Sequence, residues 1–201
     1  TLDLHHNILP LTARLKPQGR DLVDAAVPLL DRPGLYVLDA PDMVLHAMTH
    51  LFMNEEMSHA LRDLSDLDLL LRRHAEADAG FWPRLLQRAG RLDLRRPLHY
   101  GLVHLARVFG TPVPAEVARE AARFGPPRPL AAAMDALWRR ALRSRHPGAD
   151  PVGTGVALFA LYVRGHWLRM PPWLLTRHLT IKALRLHDRP PQASVTAPTQ
   201  G

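Results

Sequence analysis

Apolar residues recur at helical spacing along most of the chain, from Asp39 onward. Leucine, alanine, valine and methionine return every three or four residues, as on the buried face of a helix, and proline, glycine or polar clusters bound each stretch. The pattern predicts a helical domain of about eight helices over residues 39–187. Its stretches begin APDMVLHAMTH, MSHALRDLSDL, FWPRLLQRAG, RPLHYGLVHLA, PAEVAREAA, PLAAAMDALW, GVALFALYV and PPWLLTRHLT.

Residues 1–38 carry the strand signals of the chain, at 2–8 and at 35–38. Between them, the periodic stretch 21–30 indicates a short helix interrupted near Pro28. In a strand over 2–8, Asp3 and His5 share one face, and its free edge would be available for pairing in a homodimer. The fold class predicted is therefore mainly α, with a short mixed α/β segment before the helical domain. Residues 188–201, rich in Pro, Ser, Thr and Gln, predict a disordered tail.

Composition narrows the functional classes. The 201 residues are 47% hydrophobic and 22% charged, which is enough for a buried core. The absence of cysteine excludes disulfides, zinc–thiolate sites and thiol nucleophiles, and fits the cytoplasmic location that we predict. The longest apolar run, 155–163, is far shorter than the roughly 20 residues that cross a bilayer, so we interpret it as a buried helix and expect no membrane partner.

The formal net charge is +7, which favours anionic partners. The basic residues, however, are arginines apart from Lys16 and Lys182, and they stand singly among leucine and alanine. This scattering does not form the stripe typical of nucleic-acid binding, so nucleic acid is not the partner we predict.

Two histidines one turn apart, His46 and His50, are the first candidates for chemistry. Two imidazoles at this spacing can reach one metal ion, but Ala47 occupies the position of the glutamate in the zinc-protease motif. The periodicity places both histidines with Asp42 on the polar side of the helix, and Asp39 with Asp42 forms a capping-box-like start.

Asp63 lies at the edge of the leucine face of the next helix, where a carboxylate is partly buried and needs a donor. His46 or His50 is the candidate donor, and we favour a structural clasp between antiparallel helices over a catalytic dyad. Asp66 and Asp68 do not form a two-metal motif, since in a helix their side chains diverge by about 200°.

Four segments carry a resemblance to a known family: LDLHHNILP, APDMVLHAMTHLF, LRDLSDLDLLLRR and RPLHYGLVHLARVFGTPVP. Together, over roughly residues 1–120, they resemble a bacterial family of uncharacterised nucleotidyltransferases. The resemblance implies a small mixed sheet with a Gly-Ser motif, an aspartate pair and a third carboxylate, followed by a helical domain. Asp3 matches the third carboxylate, with His5 beside it, so these two are the candidate catalytic residues.

The resemblance also implies the reaction and its cofactor. Such a protein would transfer a nucleoside monophosphate from an NTP to an acceptor that the sequence does not identify, using two Mg²⁺ ions held by carboxylates, Asp3 among them. The Gly-Ser loop and the aspartate pair do not occur in these residues. We therefore expect residues 1–38 to be the remnant of the nucleotidyltransferase domain and the chain, alone, to bind no cofactor and to be inactive.

Two alternatives remain open at this point. One is a non-enzymatic helical binding or accessory module. The other is a helical metallohydrolase that uses His46, His50 and Asp63.

Overall fold

A computed structural model describes residues 7–54, 56–144 and 152–187. Within these ranges the chain forms the helices α1 (Gly19–Asp24), α2 (Ala40–Met53), α3 (Ala60–Ala77), α4 (Phe81–Arg91), α5 (Arg95–Phe109), α6 (Ala115–Ala122), α7 (Arg128–Ala141), α8 (Thr154–Arg169) and α9 (Pro172–His187). Two short strands, β1 (Val27–Pro28) and β2 (Tyr36–Val37), form an antiparallel hairpin. The mainly α fold is confirmed, and α2 to α9 correspond to the eight predicted stretches.

The segment before α2 differs in part from the prediction. The strand expected at 35–38 is present as β2, but the helix expected at 21–30 ends at Asp24, and its second half becomes β1. Pro28 lacks a backbone N–H and so cannot continue a helix, and Gly34 adopts a φ of 83° in the hairpin loop, a conformation that glycine adopts without strain. Asn7 and Ile8, at the end of the strand expected at 2–8, lie in a bend. Residues 1–6, with Asp3 and His5, and the predicted tail 188–201 lie outside the described residues.

Helix α2 is the centre of the core, because α3, α4, α5 and α8 all pack against it. Val44, Leu45, Met48 and Phe52 are fully buried in this helix. The close approach of α5 depends on Gly101, where a Cβ atom would lie 2.6 Å from the Met48 sulfur. Layers of helices on several sides leave α2 little solvent-facing surface.

This packing overturns the predicted polar side of α2. Asp42 and Thr49 are fully buried, although the periodicity placed them with His46 and His50 on the polar side. The Thr49 hydroxyl donates a 2.7 Å hydrogen bond to the Leu45 carbonyl, which satisfies it inside the helix.

The predicted start of α2 is correct in position, but its contacts differ from those of a capping box. Asp39 is the N-cap residue and makes no side-chain capping hydrogen bond. Its carboxylate lies 3.5 Å from Arg84 of α4 instead. Tertiary ion pairs therefore replace local capping at this helix end.

The apolar run 155–163 is helical, as predicted, but it is not buried throughout. In α8, Ala157 and Leu161 face the core, whereas Val156 is 72% exposed and Phe159 is 64% exposed. Over the described residues, no helix combines the length and apolar character that crossing a membrane requires.

Candidate functional site

His46, the first histidine of the pair on α2, lines a small cavity beside the N-terminal segment. The rings of His46 and His50 have their centroids 4.5 Å apart, which confirms that the two side chains are neighbours. His46 lines a cavity of about 350 Å³ together with Asn7, Tyr36 and a group of aliphatic side chains: Ile8, Leu22, Val23, Val37 and Leu38. The cavity is therefore mostly apolar, with one imidazole and one phenol on its walls.

The clasp predicted between this pair and Asp63 does not match the position of Asp63. Its side chain is 46% exposed, and the carboxylate lies 3.5 Å from the guanidinium of Arg62, the residue before it. Partial burial of Asp63 was therefore the wrong expectation. The turn of α3 that carries Asp63 faces solvent, whereas Leu64 and Leu67 face the core.

A metal centre at the histidine pair would need at least a third protein ligand. Within 7–54, 56–144 and 152–187, no group of three or more histidine, aspartate or glutamate side chains is arranged to hold a metal ion. His46 and His50 thus have no third ligand in that part of the chain, and the metallohydrolase alternative lacks its site there.

The fully buried carboxylate is Asp42, and it forms an ion pair with Arg88 of α4. Arg88 donates from Nε to Oδ1 at 2.8 Å and from Nη2 to Oδ2 at 2.5 Å, the paired geometry in which guanidinium binds carboxylate best. Nη2 of Arg88 also donates to the Asp21 carbonyl of α1 at 2.9 Å. The pair ties α1, α2 and α4 together and leaves the Asp42 carboxylate no free face for a ligand.

A second buried carboxylate, Asp68 of α3, holds the loop after α5. It accepts hydrogen bonds from Nε of Arg72 at 2.9 Å and 3.0 Å and from the Thr111 hydroxyl at 2.5 Å. Arg72 also donates to the Phe109 carbonyl at 3.1 Å. Asp68 and Arg72 are four residues apart on one helix, a spacing typical of surface ion pairs, but Thr111 and the end of α5 cover this pair.

A charged cavity of about 730 Å³ lies among α5, α7 and α8. Its walls carry four arginines, one carboxylate and three aromatic rings: Arg95, Arg96, Arg123, Arg164, Asp93, Tyr100, Phe124 and Trp167. Aliphatic side chains of α7 and α8 and Leu15 complete the wall. We call this feature the arginine cavity.

Arg164 of α8 is the most enclosed of the four arginines. Nη1 donates a 2.7 Å hydrogen bond to the Phe52 carbonyl, and the guanidinium carbon lies 5.2 Å from the centroid of the Tyr100 ring. Burial lowers the pKa of Arg164, the Tyr100 hydroxyl raises it, and the neighbouring charge of Arg96 lowers it again. These contacts hold the Arg164 guanidinium at the wall of the cavity that Arg96 also lines.

His104 of α5 is a buried base next to this region. Its ring stacks on Phe52 at a centroid distance of 5.7 Å, and the described residues supply its Nδ1 with no hydrogen-bond partner. Burial lowers the pKa of His104 to about 4, so the ring is neutral at physiological pH.

Sequence reasoning identified the histidine pair but missed the arginine cavity. Arg164 was visible in the sequence as the charge that ends the apolar run 155–163. A single arginine after an apolar run indicates a partly buried charge if the helix continues beyond it. Helix α8 does continue, to Arg169. The convergence of Arg95, Arg96 and Arg123 on the same space depends on tertiary packing.

The fold and these two cavities define a helical protein with an apolar site beside the N-terminal hairpin and a cationic site among α5, α7 and α8. The family model of the uncharacterised nucleotidyltransferases matches residues 1–110. Since this is more than half of the chain, the protein belongs to that family. A search of curated proteins and a search of solved structures found no match.

Proposed function

We propose that this protein acts in nucleotidyl transfer, moving a nucleoside monophosphate from an NTP to an acceptor. The observation that carries the proposal is the family match over residues 1–110, which spans Asp3, the small cavity and the histidine pair. Membership of the family supports nucleotidyl transfer in general, and the particular reaction is our inference.

Asp3 is the residue that we propose at the reacting phosphate. Asp3 lies four positions before Asn7 on the wall of the small cavity, and four extended residues span at most about 14 Å. The cavity walls offer Tyr36, whose ring is 65% exposed, as a surface for a planar group such as a nucleobase. A nucleoside in this cavity would place its phosphates within reach of the N-terminal segment.

Magnesium belongs to the proposal only through Asp3. Two-metal transfer needs several carboxylates around the two ions, and the described residues contain no such group. The buried carboxylates Asp42 and Asp68 are both bound to arginines and cannot serve. The described part of the chain therefore does not fit a two-magnesium site, and we derive no step through the metal from it.

The test follows label from α-³²P nucleoside triphosphates into product. The gene product at its natural length is incubated with each NTP, Mg²⁺ and a small-molecule cell extract as the source of acceptor. We expect Asp3→Asn to lower the rate of transfer by about 10-fold or more. Substitution of a group that only supports a metal ligand typically lowers activity by about 10- to 100-fold.

Asp24→Asn is the matched control, because Asp24 is an exposed acid paired with Arg20 on α1 and is not among the residues that line the small cavity. Its transfer rate should equal that of the unchanged protein. Equal activity of Asp3→Asn and the unchanged protein would refute the role of Asp3, and the absence of transfer from all four NTPs would refute the proposed reaction.

A further inference from the structure

We propose that the arginine cavity binds a phosphorylated small molecule, with its phosphate against Arg96 and Arg164 and its remaining part on the aromatic and aliphatic wall. This site shares no lining residue with the small cavity beside His46. The proposal does not depend on nucleotidyl transfer.

The charge balance of the cavity is the first argument. Four arginines face one carboxylate, that of Asp93, which also accepts a 3.1 Å hydrogen bond from the Lys16 backbone N–H. Arg123 has a carboxylate partner in Glu120, at 2.6 Å. Among the described residues, no carboxylate forms an ion pair with Arg96 or Arg164, so the cavity keeps an excess of positive charge.

The enclosure of Arg164 is the second argument. A guanidinium group has five N–H donors, and among the described residues the protein group that accepts a hydrogen bond from Arg164 is the Phe52 carbonyl. Taking a cation out of water without a counter-ion is costly, and an anion bound in the cavity would offset that cost. The remaining donors are available to a ligand with several acceptor oxygens.

Shape and wall chemistry are the third argument. A volume of about 730 Å³ lies within the range of roughly 300–1,000 Å³ that is usual for small-molecule sites. Leu130, Met134 and Leu137 of α7 supply an apolar part of the cavity wall. A ligand that fits both sides has a compact anionic end and an apolar or planar body.

Phosphate fits better than carboxylate because of its charge and its oxygens. A phosphate monoester at neutral pH carries between one and two negative charges and three acceptor oxygens, which two neighbouring guanidinium groups can share. A carboxylate supplies one charge and two oxygens. Arg96 and Arg164 both line the cavity, so an anion that carries more than one charge can neutralise both guanidinium groups.

The experiment is isothermal titration calorimetry without Mg²⁺, using phenyl phosphate, benzoate and ATP as probes. Phenyl phosphate and benzoate share a ring and differ in the anion, so their comparison isolates the phosphate. We expect phenyl phosphate to bind saturably and at least about tenfold more tightly than benzoate. ATP competing with phenyl phosphate would identify a nucleotide polyphosphate as the source of the anion, and phenyl phosphate binding alone would identify a monoester.

Variants link the binding to the cavity. Arg96→Ala and, separately, Arg123→Ala at the exposed rim should each raise the dissociation constant, with Arg96→Ala raising it by about tenfold or more. Arg119→Ala removes the same charge from the exposed side of α6, away from the cavity lining, and should change it by less than about twofold. Melting curves confirm that each variant is folded, and Arg123 provides an exposed position if Arg96→Ala does not fold.

Three results would overturn the proposal. The first is that neither phenyl phosphate nor ATP binds at millimolar concentration. Benzoate binding as tightly as phenyl phosphate is another, and an equal loss of affinity in Arg119→Ala and Arg96→Ala is the third. Because the titration needs no turnover, failure of the transfer assay leaves these outcomes unchanged.

Discussion

At the scale of the residue, Arg88 and Asp42 show how a buried charge holds elements together. Asp42 is fully buried, and its two oxygens accept hydrogen bonds from one guanidinium group. Removing one partner of such a pair leaves the other charge buried without compensation, which costs more than the pair itself contributes. Without the Asp42 charge, the buried Arg88 guanidinium keeps only a neutral acceptor in this contact, the Asp21 carbonyl.

We predict that Asp42→Asn lowers the free energy of unfolding by about 3–5 kcal/mol. Urea unfolding monitored by circular dichroism measures the loss. Asp24→Asn removes an exposed acid, paired with Arg20 at 3.7 Å, and should change stability by less than about 0.5 kcal/mol. Equal effects of the two substitutions would contradict the structural role of the buried pair.

At the scale of the element, α2 and α5 depend on one glycine for their close approach. At Gly101 a Cβ atom would lie 2.6–2.8 Å from three side-chain atoms of Met48, which is itself fully buried. Real contacts do not become so short, so Met48 or the helix backbone would have to move. Gly155 in the first turn of α8 has open space around its Cβ position.

Two glycine substitutions therefore have opposite predicted effects. Gly101→Ala should lower the free energy of unfolding by about 1–3 kcal/mol through overpacking. Gly155→Ala should raise it by up to about 1 kcal/mol, since alanine is the better helix former and meets no neighbour. Thermal melting followed by circular dichroism distinguishes the two, and destabilisation by both would show that space around the glycine is not the deciding factor.

At the scale of the whole molecule, burial of histidines couples stability to pH. Burial is the largest cause of the lowered pKa of His74, His99 and His104, and for His104 the folded value is about 4. The unfolded chain takes up its protons near the ordinary histidine value of 6.5. Stability is therefore complete above that pH and is lost as the pH falls from about 6.5 towards 4.

We predict that the lowered pKa of His104 by itself reduces the free energy of unfolding by about 2 kcal/mol at about pH 5, relative to neutral pH. Urea unfolding at the two pH values measures the difference. His104→Phe keeps an aromatic ring against Phe52 and removes the titrating group, so its loss between the two pH values should be smaller by this amount. An unchanged pH dependence in the variant would exclude His104 as its source.

The helices were predictable because their signal is local. Leu64, Leu67 and Leu71 of α3 recur at the helical period and are all buried, as the periodicity indicated. The hairpin was half predictable: Tyr36 and Val37 read as a strand, but their partner Val27–Pro28 lay in a stretch whose apolar spacing suited a helix. Short strands take their identity from the partner strand, which a single sequence does not display.

The candidate sites show the same difference between features that local sequence sets and features that tertiary contacts set. The spacing of His46 and His50 fixed them as neighbours, since one helical turn determines it. The exposure of Asp63 and the burial of Asp42 were predicted the wrong way round, because each depends on which helix covers that side of α2 or α3. The role of Asp3 and His5 stays a prediction.

The sequence by itself determined the mainly α character, the helix boundaries to within a few residues and the likeness to nucleotidyltransferases, because these depend on period and order along the chain. Only the tertiary structure decided that Asp42 is buried against Arg88 and that Arg95, Arg96, Arg123 and Arg164 surround one cavity. These arginines are up to 69 positions apart in the chain, and packing among separate helices, not local pattern, sets which charges lose their water.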